Sequence, residues 1–358
     1  MGKVSRKIDF YTKFLQANVS TLGKPIKLNY AVTYDCNLRC EKCNIWKKEP
    51  ENELELDEIR RFFRENDHFR WVSLTGGEPF LRDDIDEIAR VIEEESRNLY
   101  VLNSPTNGAL PGKAREKAEE IASLDVPNII LTVSIDGPEE VHDSERGIEG
   151  SWKKAVETYR LLDRLSEKEE NFKTLFSYTV SGNNLGEFGR TVKEVDRELA
   201  SRDVDYQDFG VNFQHGSGHY YEKEGLRSRK FFEEVEEVNR LKDHLPRNLR
   251  QLVSQLGLKL SRRELRENRI PCVASEVSAF MNPRGVIYPC IIHDQEIGDV
   301  REYGFDLEEM WDEQVQGDYR KYSRTCGGCW LPCESNQAIM ANMPLSIWEF
   351  LKMKVSKT

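Results

Sequence analysis

Six short apolar runs, closed by glycine-rich or polar turns and mostly separated by helical stretches, limit what this chain can fold into more than any other feature. They span residues 28–33, 71–75, 99–102, 128–134, 174–180 and 209–213. Between them, at 56–66, 85–92, 113–124, 152–165 and in a stretch ending near Leu199, apolar residues recur at three- and four-residue spacing. That is the period of an amphipathic helix. Alternation of this kind predicts an α/β fold with parallel strands and right-handed crossovers.

The eight cysteines fall into two groups, Cys36, Cys40 and Cys43 against Cys272, Cys290, Cys326, Cys329 and Cys333. Cys36-Asn-Leu-Arg-Cys40-Glu-Lys-Cys43 leaves the end of the first strand. Three thiolates this close can hold three irons of a [4Fe–4S] cluster, with the fourth iron lacking a ligand from this stretch. Spacing alone also allows a structural zinc site with a remote fourth ligand.

Composition narrows the setting. Of the 358 residues, 38% are hydrophobic and 32% charged. No run reaches the roughly 18 apolar residues of a membrane span. No signal-peptide core opens the chain, so the expected location is cytoplasmic, where cysteines serve metal or redox chemistry rather than disulfides. A net charge of −11 argues against a broad nucleic-acid surface.

The second run ends in Gly76-Gly77-Glu78-Pro79, where glycines admit close backbone approach to a ligand and Glu78 adds an acceptor. By itself a Gly-Gly pair marks only a tight turn. Thr106-Asn107-Gly108 and Ser134-Ile135-Asp136-Gly137 likewise set polar side chains beside glycine after apolar strands. The C-x3-C-x2-C spacing together with Gly-Gly-Glu-Pro resembles the radical S-adenosylmethionine (SAM) family, over residues 28–214. The resemblance implies a partial (β/α)6 barrel of TIM type, with function at the C-terminal strand ends. It implies that Cys36, Cys40 and Cys43 hold a [4Fe–4S] cluster whose open iron binds SAM, and that Gly76, Gly77, Glu78 and Pro79 bind the SAM amino group. It assigns Ser134, with Asp136, Thr106 and Asn107 as polar neighbours, to the SAM ribose or carboxylate. Arg146 is expected to pair with that carboxylate, since a guanidinium matches its fork. The chain departs from the family at Lys42, where an aromatic residue often packs on adenine; Trp46 is the alternative for that contact.

The five later cysteines, with Gly285-x4-Cys290 and Cys326-x2-Cys329-x3-Cys333, resemble the SPASM region or its shorter twitch form. One auxiliary [4Fe–4S] cluster is implied, held by Cys272, Cys290, Cys326 and Cys329, with Cys333 spare or replacing one of them. A zinc knuckle is the alternative, since sets of four cysteines bind zinc readily. The loop after the sixth strand offers His215, Ser217 and His219 as substrate contacts. Helices are expected at 8–22, at 231–265 with a break at Pro246, and at 345–355, with a hairpin at 280–290. The expected domains are a helical extension (1–25), the core barrel (26–230), connecting helices (231–270), the auxiliary-cluster region (271–340) and a terminal helix (341–358).

The function so implied is a radical SAM oxidoreductase, reduced by ferredoxin or flavodoxin, that abstracts hydrogen from a small molecule such as a sugar or nucleoside. A peptide-modifying maturase is the alternative, and a non-catalytic iron–sulfur carrier the alternative of another class. No side chain stands out as a general acid or base.

Overall fold

The computed structural model describes residues 2–20, 22–200, 202–223, 225, 228–243, 246, 248–267, 270–314 and 331–355. Helix α1 (Lys3–Val19) leads into β1 (Lys27–Thr33). Strands β2 (Trp71–Gly76), β3 (Val101–Thr106), β4 (Asn128–Ser134), β5 (Phe172–Val180) and β6 (Phe209–Phe213) follow, each parallel to the one before. The crossovers carry α2 (Leu56–Glu65), α3 (Ile85–Glu95), α4 (Pro111–Ala122), α5 (Glu139–Arg146), α6 (Ser151–Ser166) and α7 (Phe188–Leu199). This is the expected open, partial barrel.

Alternation along the strands decides which side chains reach its interior. In β5, Phe172, Phe176 and Val180 are buried, and Phe176 stacks on Tyr159 of α6 with ring centroids 3.7 Å apart. That parity faces the helices. The other parity in β3 to β6 is only half-buried and brings Asn103, Thr132, Ser177 and Asn212 onto the concave side. Hydrogen bonds run across it, from Ser73 Oγ to Asn103 Oδ1 (2.7 Å) and from Asn212 Nδ2 to Ser177 Oγ (2.9 Å). The concave face therefore mixes polar side chains with apolar ones such as Ile130 and Leu175.

Two differences from the sequence reading have physical causes. The third strand runs Val101–Thr106 instead of 99–102, because its second half, Asn103-Ser104-Pro105-Thr106, carries polar residues on both parities and so lacks an apolar signature. Helix α5 was not foreseen; it is eight residues long, starts with Glu139 and Glu140, and stops at Gly147, whose φ is +70°.

Beyond the core, α8 (Arg229–Leu241) and α9 (Leu249–Glu267) flank Pro246 as expected. The hairpin at 280–290 is also present, as β7 (Ser278–Met281) and antiparallel β8 (Val286–Tyr288), followed by β9 (Gly298–Asp299). It does not stand apart from the barrel. Strand β7 pairs in parallel with β1, giving one sheet in the order β6-β5-β4-β3-β2-β1-β7-β8-β9. The helix Pro332–Ala341 then covers the inner side of this junction. Lys27 Nζ donates to Cys333 O and Gln337 Oε1, while Glu334 accepts from Asn29 Nδ2 (3.2 Å) and Ser278 Oγ (2.7 Å). Glu334 is fully enclosed, so these donors replace the water it gives up.

Candidate active site

The loop carrying Cys36, Cys40 and Cys43 is clamped from two sides. On one side Arg39 N donates to Arg146 O (3.1 Å) and Glu41 N to Glu145 O (2.9 Å), tying it to the end of α5. On the other, Asn44 N donates to Tyr221 O (3.0 Å) and Asn44 Nδ2 to Glu222 O (2.8 Å), tying it to the segment after β6. Beneath it lies a charged cluster. Asp136 is completely buried and ion-paired with Lys42 Nζ (2.5 Å) and with Arg146. Burial alone would raise its pKa, but Arg146 and then Lys42 overcome that and hold the carboxyl well below the usual range. Lys42, at the position where the family often has an aromatic residue, thus fastens the cysteine loop to the end of β4.

Arg146, expected at the SAM carboxylate, spends Nη2 on Asp136 and points Nη1 at Cys40 Sγ (3.7 Å). His142 Nδ1 accepts from Asp136 N (3.1 Å), and burial, then Arg146, brings its pKa down to about 3.

The Gly76-Gly77 turn abuts the same loop. A Cβ on Gly76, whose φ is +136°, would lie 2.3 Å from Thr33 O, and one on Gly77 2.1 Å from Asp35 O. Only glycine permits this approach. Glu78 is buried and accepts from Asn107 N (2.6 Å), Thr106 Oγ1 (2.9 Å) and Phe80 N (3.1 Å). Burial pushes its pKa up to about 7 even so. Its carboxylate therefore joins the ends of β2 and β3, and Asn107 Nδ2 carries the link to Asn37 Oδ1 in the cysteine loop (2.7 Å). Ser134 ends β4 on the half-buried, concave parity.

The thiols suit iron–sulfur ligation. Cys36, Cys40 and Cys43 are unbridged, and Cys36 and Cys43 both lie within electrostatic reach of Cys40. Burial raises the Cys36 thiol to about 12 and the Cys43 thiol to about 11, so a metal must displace their protons to bind. Donors already point at sulfur: Ile45 N at Cys43 (3.5 Å), Ala274 N at Cys272 (3.5 Å), and Ile292 N (3.4 Å) and His293 N (3.3 Å) at Cys290. Such hydrogen bonds help set cluster potentials. Among the described residues no three cysteine, histidine or acidic side chains yet close around a single point. Cys326 and Cys329 lie outside the described residues.

The two cysteine groups meet at a small apolar cluster. Ala31, Tyr34, Ile45, Tyr220, Phe280, Tyr288, Ile291 and Leu331 pack together, with Cys43 and Cys333 both against them. Tyr220 is buried and its hydroxyl donates to Gly76 O (3.0 Å); sequence reasoning passed over it, since a tyrosine in a loop carries no signal of its own. Also missed were Asn103, Thr132, Ser177 and Asn212, whose signal was the polar alternation within strands. His219 stacks on Tyr288 (4.0 Å, 10°), and burial lowers its pKa to about 4. Ser217 Oγ accepts from Tyr220 N (3.3 Å) and Tyr221 N (2.9 Å), and His215 Nδ1 is 2.6 Å from Phe213 O. All three residues lie on the segment after β6, with Ser217 holding the turn.

Fold and cysteine geometry together define a parallel-stranded partial barrel with a three-thiol loop at the end of its first strand. Residues 30–195 match the model of the Radical SAM superfamily, and that match together with the relatives below supports a radical SAM enzyme that uses a [4Fe–4S] cluster and SAM. It is similar to AdoMet-dependent heme synthase of Methanosarcina barkeri, 26% identical over 87% of this chain and 93% of that one. It is also similar to the antilisterial bacteriocin subtilosin biosynthesis protein AlbA of Bacillus subtilis, 25% identical over 86% of this chain and 67% of that one. Among solved structures, Streptococcus suis SuiB bound to S-adenosylmethionine has the same fold, with a TM-score of 0.58 at 18% identity, over 87% of this chain and 71% of that one.

Proposed function

We propose that this enzyme oxidises a small molecule held in the barrel, and that Cys272, Cys290, Cys326, Cys329 and Cys333 supply the ligands of a second cluster that accepts the substrate's electron. The packing of Cys43 and Cys333 against one small apolar cluster supports this reading, since a member of each cysteine group touches the same few side chains. When bound, SAM and its cluster supply a 5′-deoxyadenosyl radical. The chain's own part is positional. Gly76 and Gly77 let the turn lie against the start of the cysteine loop, Glu78 braces the strand ends, and Lys42, Asp136 and Arg146 hold the cysteine loop. Asn103, Thr132, Ser177 and Asn212 offer the substrate hydrogen bonds along the concave face. An external ferredoxin or flavodoxin supplies the initiating electron.

The match to the heme synthase along 93% of its length favours a tetrapyrrole as the first substrate to try, ahead of a sugar or nucleoside. A peptide substrate is the second reading, favoured by the match to the subtilosin biosynthesis protein over 86% of this chain. Deuterium transfer into 5′-deoxyadenosine tests both. Anaerobic turnover with deuterated tetrapyrroles should label it; labelling by peptide candidates alone would reverse the order.

A further inference from the structure

Each thiol of the cysteine loop has a hydrogen-bond donor, and one of the three donors differs in kind. Leu38 N serves Cys36 and Ile45 N reaches Cys43 (3.5 Å), both of them backbone amides two residues further along. Cys40 is met instead by a side chain, Arg146 Nη1 at 3.7 Å. Among the described residues, Arg146 is the only cation hydrogen-bonded to one of these three sulfurs.

The end of α5 is built to put it there. The backbone bonds from Arg39 N to Arg146 O and from Glu41 N to Glu145 O flank Cys40 in the sequence, so they set Arg146 in register with that one thiol. Gly147 follows directly, and a Cβ on it would lie 2.8 Å from Arg39 O. Glycine there lets the helix end lie against the loop. Arg146 Nη2 is then paired with Asp136, which fixes the plane of the guanidinium. The neighbouring charges are all engaged elsewhere in the cluster. Lys42 pairs with Asp136 and lies 3.9 Å from Glu145 Oε1, while Glu145 Oε2 accepts from Ser181 Oγ and Asn183 Nδ2 (3.1 Å each). His142 is held neutral by burial. The charge directed at Cys40 is therefore the Arg146 cation, and with 9% of its side chain exposed it acts with little screening by water.

The same contacts leave no free fork for SAM. Bidentate pairing with a carboxylate takes two N–H groups from one edge of the guanidinium. Nη2 belongs to Asp136, Nη1 points at Cys40, and Nε is buried without a partner.

We propose that Arg146 raises the reduction potential of the SAM-binding cluster through its hydrogen bond to Cys40, and that it does not hold the SAM carboxylate. Hydrogen bonds to the ligand sulfurs and local charge set cluster potentials, and a fixed cation favours the more negative, reduced state. One electron enters from the external donor, and no bond is made or broken. The proposal rests on the three-thiol loop holding that cluster, which the parent's iron content tests separately.

The test is an anaerobic redox titration followed by electron paramagnetic resonance, without SAM, on the signal that Cys36→Ala, Cys40→Ala, Cys43→Ala protein lacks. Arg146→Gln should make reduction about tenfold less favourable, a fall of about 59 mV for one electron. Arg146→Lys keeps the charge but cannot span Asp136 and Cys40, so its potential should lie between. Lys42→Met removes the other cation of the buried group and should shift the potential less, because Lys42 makes no bond to sulfur. Calorimetry should find SAM affinity retained in Arg146→Gln. An unchanged potential, an equal shift in Lys42→Met, or SAM affinity lost at unchanged potential would overturn the proposal. So would failure of both Arg146 variants to hold the cluster, which would make the residue a structural post.

Discussion

Replacing Asp136 by Ala strikes the group that holds the cysteine loop in place. The change leaves two cations nearly stranded, Lys42 (side chain 11% exposed) with Glu145 Oε1 at 3.9 Å and Arg146 (9% exposed) with Cys40 Sγ at 3.7 Å, and deprives Thr179 N of its acceptor at 2.8 Å. Breaking a buried pair from one side costs about 3–5 kcal/mol, and an unsatisfied amide about 1–3 kcal/mol. The terms overlap, so we expect a loss of about 4 kcal/mol, a large share of the roughly 5–15 kcal/mol typical of a folded protein. Equilibrium urea unfolding under anaerobic conditions measures it. A second change identifies the cause: adding Lys42→Met to Asp136→Ala removes one stranded charge and should restore part of the loss. If Asp136→Ala costs less than about 1 kcal/mol, or if Lys42→Met makes the double variant worse, the loop is not held by this charge cluster.

Three further outcomes follow from the geometry. Gly77→Ala places a Cβ 2.1 Å from Asp35 O, so calorimetry should show SAM affinity lowered at least tenfold; unchanged affinity would mean that the turn yields freely. His68 lies far from the cysteines and is held neutral, its pKa lowered to about 3 by burial, Lys24 and Arg70. Between pH 6.5 and that value the unfolded chain takes up a proton that the folded one refuses, so stability falls as pH falls, by up to about 1.4 kcal/mol per unit; His68→Leu should flatten urea-derived stability against pH across this window. Glu334→Ala removes the acceptor of Asn29 and Ser278 and should loosen the Pro332–Ala341 helix, read as faster amide exchange there with little change in β3 to β5.

The barrel was legible because its strands pair with their sequence neighbours and show an apolar face toward the helices. Gly76-Gly77-Glu78-Pro79 was legible because backbone approach of this kind admits only glycine. What escaped depended on distance along the chain. The pairing of β1 with β7 joins Lys27 to Ser278, and no local pattern announces such a partner. Lys42 read as a missing aromatic until Asp136, 94 positions later, proved to be its partner (136 minus 42). Glu78 looked like a ligand-facing acceptor because its three donors, two of them from the end of β3, become neighbours only once the strands assemble.

The most direct test of a second iron–sulfur centre beside the SAM-binding cluster uses the triple variant Cys36→Ala, Cys40→Ala and Cys43→Ala, reconstituted anaerobically. Metal analysis with Mössbauer spectroscopy should find about four irons remaining as one cubane cluster, in a protein that no longer cleaves SAM. Zinc at the remaining cysteines, or a variant holding no metal, would contradict the account.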